Sequence, residues 1–152
     1  MFDDEYWMRI AIQEAIIAKN KGEVPIGSIL VKDNQLISKA HNCPISTNNP
    51  TAHAEIEVLR NAGKKLKNYR LSKTTLYVTL EPCIMCLGAM MHARVERLVF
   101  GASNTKKGLN KSFTDVTLDI QSNHKIKVSS GILEEDCAQI LNSFFILCRN
   151  KF

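Results

Sequence analysis

The sequence predicts an α/β fold: a three-layer sandwich in which a central, mixed, five-stranded sheet carries helices on both faces. Two observations point to it. Short β-prone runs alternate with stretches of helical periodicity over most of the chain, which is the pattern of strands joined by crossover helices. One pair of runs is separated only by a tight reversal, which adds an antiparallel hairpin to that sheet. With 152 residues and 45% apolar content, the chain can bury roughly two-thirds of its unfolded surface in one unit but is short for two. Residues 1–152 therefore read as a single domain, with no repeat, linker or low-complexity segment.

The elements follow in order. Met8, Ala11, Ile12, Ala15 and Ile16 recur every three or four residues after the possible caps Asp3 and Asp4, and Gly22 ends that first helix. Ile26 to Val31 and Leu36 to Ala40 are β-prone, and Lys32-Asp33-Asn34-Gln35 between them suits a hairpin turn. His41 to Pro50, with its prolines and asparagines, reads as a loop, and Thr51 as the N-cap of a helix from about Ala52 to Gly63. Leu76 to Leu80 is a buried strand, and Pro82 suits the first turn of a helix from Cys83 to about Arg94. Arg97 to Gly101 is a strand. A polar stretch follows from Ala102 to Lys111, then a weak helical turn near Phe113 to Ile120, a strand at Ile126 to Ser129 and a closing helix from about Leu133 to Arg149.

Composition narrows the setting. No apolar run approaches the roughly 20 residues that span a bilayer, and Met1-Phe2-Asp3-Asp4-Glu5 is acidic where a secretory signal is basic, so a cytoplasmic protein is expected, with no membrane partner. The 5 cysteines (Cys43, Cys83, Cys86, Cys137 and Cys148) are an odd number, which favours metal binding or burial over a disulfide framework. A net charge of +5 fits a polyanionic partner as well as a merely solvated surface. Lys64, Lys65, Lys67, Arg70 and Lys73 form one basic stretch, and Lys106, Lys107 and Lys111 another.

Two short motifs carry chemistry: His53-Ala54-Glu55 and Pro82-Cys83-Ile84-Met85-Cys86, each at the start of a predicted helix. Cysteines three positions apart lie on one helical face and can grip one ion. A helix N-terminus lowers thiol pKa and so favours the thiolate that zinc requires. His53, Cys83 and Cys86 supply three ligands, and a tetrahedral zinc would keep a fourth position open, as catalytic sites do. Glu55, two residues from His53, is placed to move protons of a water there without being a ligand. A closed structural site is the competing reading, for which Cys43, His41 or His92 would supply the fourth ligand.

The combined motif resembles the cytidine and deoxycytidylate deaminase superfamily. A longer likeness is narrower: Asn49-Pro50-Thr51-Ala52-His53-Ala54-Glu55-Ile56 and the run from Thr75 to Arg94 are similar to the bacterial tRNA-specific adenosine deaminases. So are Glu5-Tyr6-Trp7-Met8-Arg9, Val24-Pro25-Ile26-Gly27 and Val99-Phe100-Gly101-Ala102, which extends the likeness over nearly the whole chain. The resemblance implies a cytidine deaminase-like fold and a homodimer with one Zn2+ per subunit. It implies conversion of the wobble adenosine in a tRNA anticodon stem-loop, that of an arginine tRNA, to inosine. By that likeness His53, Cys83 and Cys86 are the zinc ligands, Glu55 the general acid and base, and Asn42 a contact to the flipped base. Asn104 and Lys106 match a loop that holds neighbouring nucleotides. Phe145 and Arg149 are candidates to stack on or clasp flanking bases, although an aromatic at helical spacing also suits a core.

Two rivals remain. Guanine deaminases share the zinc residues, which makes a free purine base the alternative substrate, but they are expected to carry an aromatic in place of His92. A zinc protein that binds RNA without catalysis is the other, and Glu55 speaks against it. Cytidine deaminases usually place a cysteine where His53 stands.

Overall fold

The structure is a computed structural model and describes residues 1–103 and 124–150. Helix α1 (Asp4–Asn20) opens on the expected cap, Asp3, whose carboxylate accepts the Tyr6 N–H at 2.8 Å. Strands β1 (Gly27–Lys32) and β2 (Gln35–His41) form the expected hairpin, with Asp33 and Asn34 both at positive φ (51° and 58°) as a tight two-residue reversal requires. Next come a short helix α2 (Pro44–Thr47), helix α3 (Ala54–Leu66), strand β3 (Thr75–Leu80), helix α4 (Ile84–Ala93) and strand β4 (Arg97–Ala102). Beyond the undescribed stretch lie β5 (Lys127–Ser130) and α5 (Glu134–Arg149).

The five strands lie in the order β2-β1-β3-β4-β5. β1 pairs antiparallel with β2 and β3, whereas β3, β4 and β5 run parallel, so the sheet is mixed as expected. Alternate side chains on each strand feed separate cores, which is what gives three layers. Leu30, Leu76, Val78, Leu98 and Phe100 meet Val58 and Leu59 of α3 and Leu87 and Met90 of α4. Ile29, Val31, Tyr77 and Val99 meet Trp7, Met8 and Ala11 of α1 and Cys137 of α5 on the opposite face.

Three local expectations are corrected. The loop from His41 to Pro50 contains α2, which Pro44 opens with its preset φ and which Glu23 secures by accepting the N–H groups of Ile45 and Ser46. Such a partner, distant in sequence, leaves no local signal. The cap of α3 is His53 rather than Thr51, whose hydroxyl donates to Asn49 at 2.9 Å instead, and α3 continues past Gly63 to Leu66. Cys83 likewise precedes α4 as its N-cap rather than lying within it. The helical turn expected near Phe113 to Ile120 lies outside the described residues.

Strand directions fix where a site can form. The C-terminal ends of β2, β3 and β4 and the beginning of β1 share one end of the sheet, because Gly27 pairs with His41 and Leu80 with Ala102. The segments leaving that end are the ones that carry Asn42, Cys83 and Ser103. Crevices outside the carboxyl ends of strands are where α/β folds bind ligands.

Candidate metal centre and active site

His53 and Cys83 occupy equivalent places, each the extended residue immediately before a helix, with ψ of 154° and 172°. This position is usually held by Ser, Thr, Asp or Asn, whose oxygen caps the helix. The His53 side chain makes no such cap bond, and its Nδ1 lies 3.6 Å from the Cys83 sulfur and 3.5 Å from the Cys86 sulfur. The three donor atoms all lie within 4.8 Å of one another. For zinc bonds of about 2.1 Å to nitrogen and 2.3 Å to sulfur, the nitrogen–sulfur edge of a tetrahedron is about 3.6 Å, so the donor set fits that ion. Among the described residues the cluster has three members, and neither Cys43, His41 nor His92 joins it.

The thiols are already polarised toward binding. The Cys86 thiol hydrogen-bonds the Cys83 sulfur, and the backbone N–H groups of Cys86 and Met85 add to it, which together hold Cys83 down at about 5 against the opposing effect of burial. The same bond, with burial and the nearby Glu55 carboxylate, pushes Cys86 far up. One thiolate and one thiol thus share a proton, which a metal ion would displace on binding.

Glu55, in the first turn of α3, is 4% exposed. Burial pushes its carboxyl up to about 7, although its own backbone N–H, the Cys86 thiol and the charge of His53 oppose that shift. A carboxyl titrating near neutrality beside a metal-binding cluster can both accept and return a proton.

Asn42 follows β2 and is 6% exposed, and its side-chain amide has no hydrogen-bond partner among the described residues. It is tied to the ligand helix by the next residue, since the Cys43 N–H donates to the Ala52 carbonyl at 3.0 Å, immediately before His53. Phe145 and Arg149 lie one turn apart near the end of α5 and line an open depression with Asn142 and Cys148. Phe145 is 46% exposed, so it is not a core aromatic. The Lys19 ammonium donates to Ser143 at 3.3 Å, and Lys21, just beyond the end of α1, lies 3.5 Å from the His41 ring. These links bring the last turns of α5 to the end of the sheet that carries the cluster. Asn104 and Lys106 lie outside the described residues.

Sequence reasoning passed over Glu81, which sits between β3 and the Pro82-Cys83 turn and is buried. Its N–H donates to the Ala102 carbonyl at 2.8 Å and its carboxylate accepts the Ser103 hydroxyl at 3.2 Å, so it joins the ligand turn to the chain leaving β4. Its adjacency to Pro82 was the available signal.

Comparison with known proteins places the chain in a family. The family model of MafB19-like deaminases matches residues 2–149. The chain is 49% identical over 142 residues to a tRNA-specific adenosine deaminase of Buchnera aphidicola subsp. Schizaphis graminum, covering 93% of each. It is 45% identical to one from Bacillus subtilis over 151 residues, covering 99% of this chain and 94% of that relative. Among solved structures, one from a study of A-to-I editing by tRNA:A34 deaminases at the wobble position superposes with a TM-score of 0.83 at 41% identity, covering 90% of this chain and 99% of that one. A guanine deaminase from Bacillus subtilis superposes less closely, with a TM-score of 0.66 at 32% identity over 98% of this chain and 95% of that one. The chain therefore belongs to the deaminase family and stands within it among the tRNA-specific adenosine deaminases.

Proposed function

We propose that this protein hydrolyses the 6-amino group of the wobble adenosine in a tRNA anticodon, that of an arginine tRNA, and leaves inosine. The observation that carries this reading is the three-donor cluster at tetrahedral spacing with the buried Glu55 carboxyl beside it. The names of the relatives supply the substrate class.

His53 Nδ1 and the sulfurs of Cys83 and Cys86 would hold one zinc ion. Bound there, zinc supplies a Lewis acid that brings the pKa of a water down to about 7. Glu55 does the proton work. Its carboxylate takes a proton from the attacking water and delivers it to the ring nitrogen next to the reacting carbon, then takes the proton of the hydroxyl so added and hands it to the departing amine. Water enters, ammonia leaves, and the carbon that bore the amine ends as a carbonyl. Asn42 holds the flipped base, because its amide, unpartnered among the described residues, offers both a donor and an acceptor to a purine edge. Asn104, Lys106, Phe145 and Arg149 grip the flanking nucleotides.

The protein works in the cytoplasm as a homodimer. Among the described residues, no helix is long and apolar enough to cross a membrane. α4 carries no charged residue before His92 and still leaves Ile84 60% exposed, and a helix apolar on all sides needs a cover that a second copy would give.

The test is incubation of the zinc-loaded protein with unmodified tRNAs and an anticodon stem-loop, mapping inosine by sequencing. Inosine confined to the wobble position is the expected result. Turnover of free guanine with no inosine in the RNA would establish the rival substrate.

A further inference from the structure

Glu23 has no part in the chemistry so far, yet it is 1% exposed, a costly place for a carboxylate without a task. Both of its oxygens are engaged by the same turn: Oε1 accepts the Ile45 N–H at 3.1 Å and Oε2 the Ser46 N–H at 2.8 Å. Burial alone would push its carboxyl up, but these donors outweigh burial and hold it below the usual range, so the group is ionised. The residue that would ordinarily cap α2, Cys43, makes no side-chain cap bond, and Glu23 fills that role from outside the turn.

The gripped segment is the one that builds the site. On one side of α2 the Asn42 N–H donates to the Ile26 carbonyl at 2.9 Å, three residues after Glu23. On the other, the Cys43 N–H reaches the Ala52 carbonyl, next to His53. Without Glu23 the turn would keep these end contacts but lose both bonds that hold Ile45 and Ser46.

We propose that Glu23 is a positioning residue for the deamination: its buried carboxylate fixes the 43–47 turn and thereby aims Asn42 at the target base. The proposal rests on the reading of Asn42 as a base contact. Because Glu23 touches neither the base nor the metal cluster, its removal weakens the hold on substrate and leaves the chemical step intact.

The experiment compares Glu23→Gln, Asn42→Ala and the double variant as full-length, zinc-loaded proteins acting on an anticodon stem-loop. Glu23→Gln is expected to keep its zinc and its circular dichroism, to raise KM about tenfold and to leave kcat within about twofold. The double variant is expected to be no worse than Asn42→Ala, since both lesions disable one contact. Multiplying losses in the double variant, an unchanged KM, a fall confined to kcat, or loss of zinc or secondary structure in Glu23→Gln each overturns the proposal. Wild-type kinetics in Asn42→Ala would remove the base-contact reading and this proposal with it, whereas an impaired Asn42→Ala with multiplying losses removes this proposal alone.

Discussion

At the scale of single residues, chemistry follows from where a side chain is denied water. Glu55 is an ordinary acid by type, and its carboxyl rises to about 7 because the start of α3 is packed under the sheet end. Glu55→Gln keeps that shape while removing the proposed proton carrier. The variant should bind zinc at wild-type stoichiometry, measured by metal analysis, and lose kcat by about 10²–10⁴-fold. His53→Ala acts at the other half of the site. With two sulfurs left from three donors, it should purify without metal, and added zinc should not restore activity. Both positions are legible from residue type and spacing. Glu23 is not, because its task lies in a turn distant in sequence, and Asn42 is marked only by the family likeness.

At the scale of elements, the sequence reading of periodicity and turn residues located the helices and strands, and it missed where partners come from elsewhere. Asp33 and Asn34 announce the β1–β2 hairpin because short polar side chains tolerate positive φ. α2 escaped notice because its stabilising carboxylate belongs to Glu23. The contact of α1 with β1 is set by Gly27, where an added Cβ would overlap the Ala11 carbonyl oxygen and lie 2.6 Å from the Ala15 nitrogen. Both are backbone atoms of a helix and cannot step aside singly. Gly27→Ala should therefore destabilise the protein by about 3 kcal/mol in urea titration, with activity lost in parallel as β1 and its neighbour Asn42 shift. A variant as stable as wild type would mean that α1 is free to move.

At the scale of the whole molecule, one polar network binds three strands to the first helix. Arg97 of β4 donates to both Asp4 oxygens, at 2.9 Å and 2.7 Å, and to Ser129 of β5 at 3.0 Å, while the Tyr77 hydroxyl of β3 donates to Asp4 at 2.7 Å. The Arg97 guanidinium holds the Asp4 carboxyl below its ordinary 3.8. A carboxyl whose pKa is lowered by folding stabilises the protein above its unfolded value, and that contribution disappears as pH falls through the folded value. Asp4→Asn should cost about 1–2 kcal/mol at neutral pH, and its deficit relative to wild type should shrink below about pH 3.8 in chemical denaturation at a series of pH values. A deficit independent of pH would place the effect in packing. Net charge also acts at this scale: the +5 chain should bind an anticodon stem-loop about tenfold more weakly when salt rises from about 50 to 200 mM.

The sequence by itself determined the class of fold and marked the candidate metal ligands and proton carrier, because these, like strand alternation and turn residues, are set by residue type and by spacing along the chain. Only the tertiary structure decided that His53 Nδ1 meets both sulfurs at about 3.5 Å, that Glu55 is buried and Phe145 is not, and that Glu23 caps a distant turn. Such facts depend on which segments are brought together and how much water they exclude, and neither is a property of any local stretch of chain.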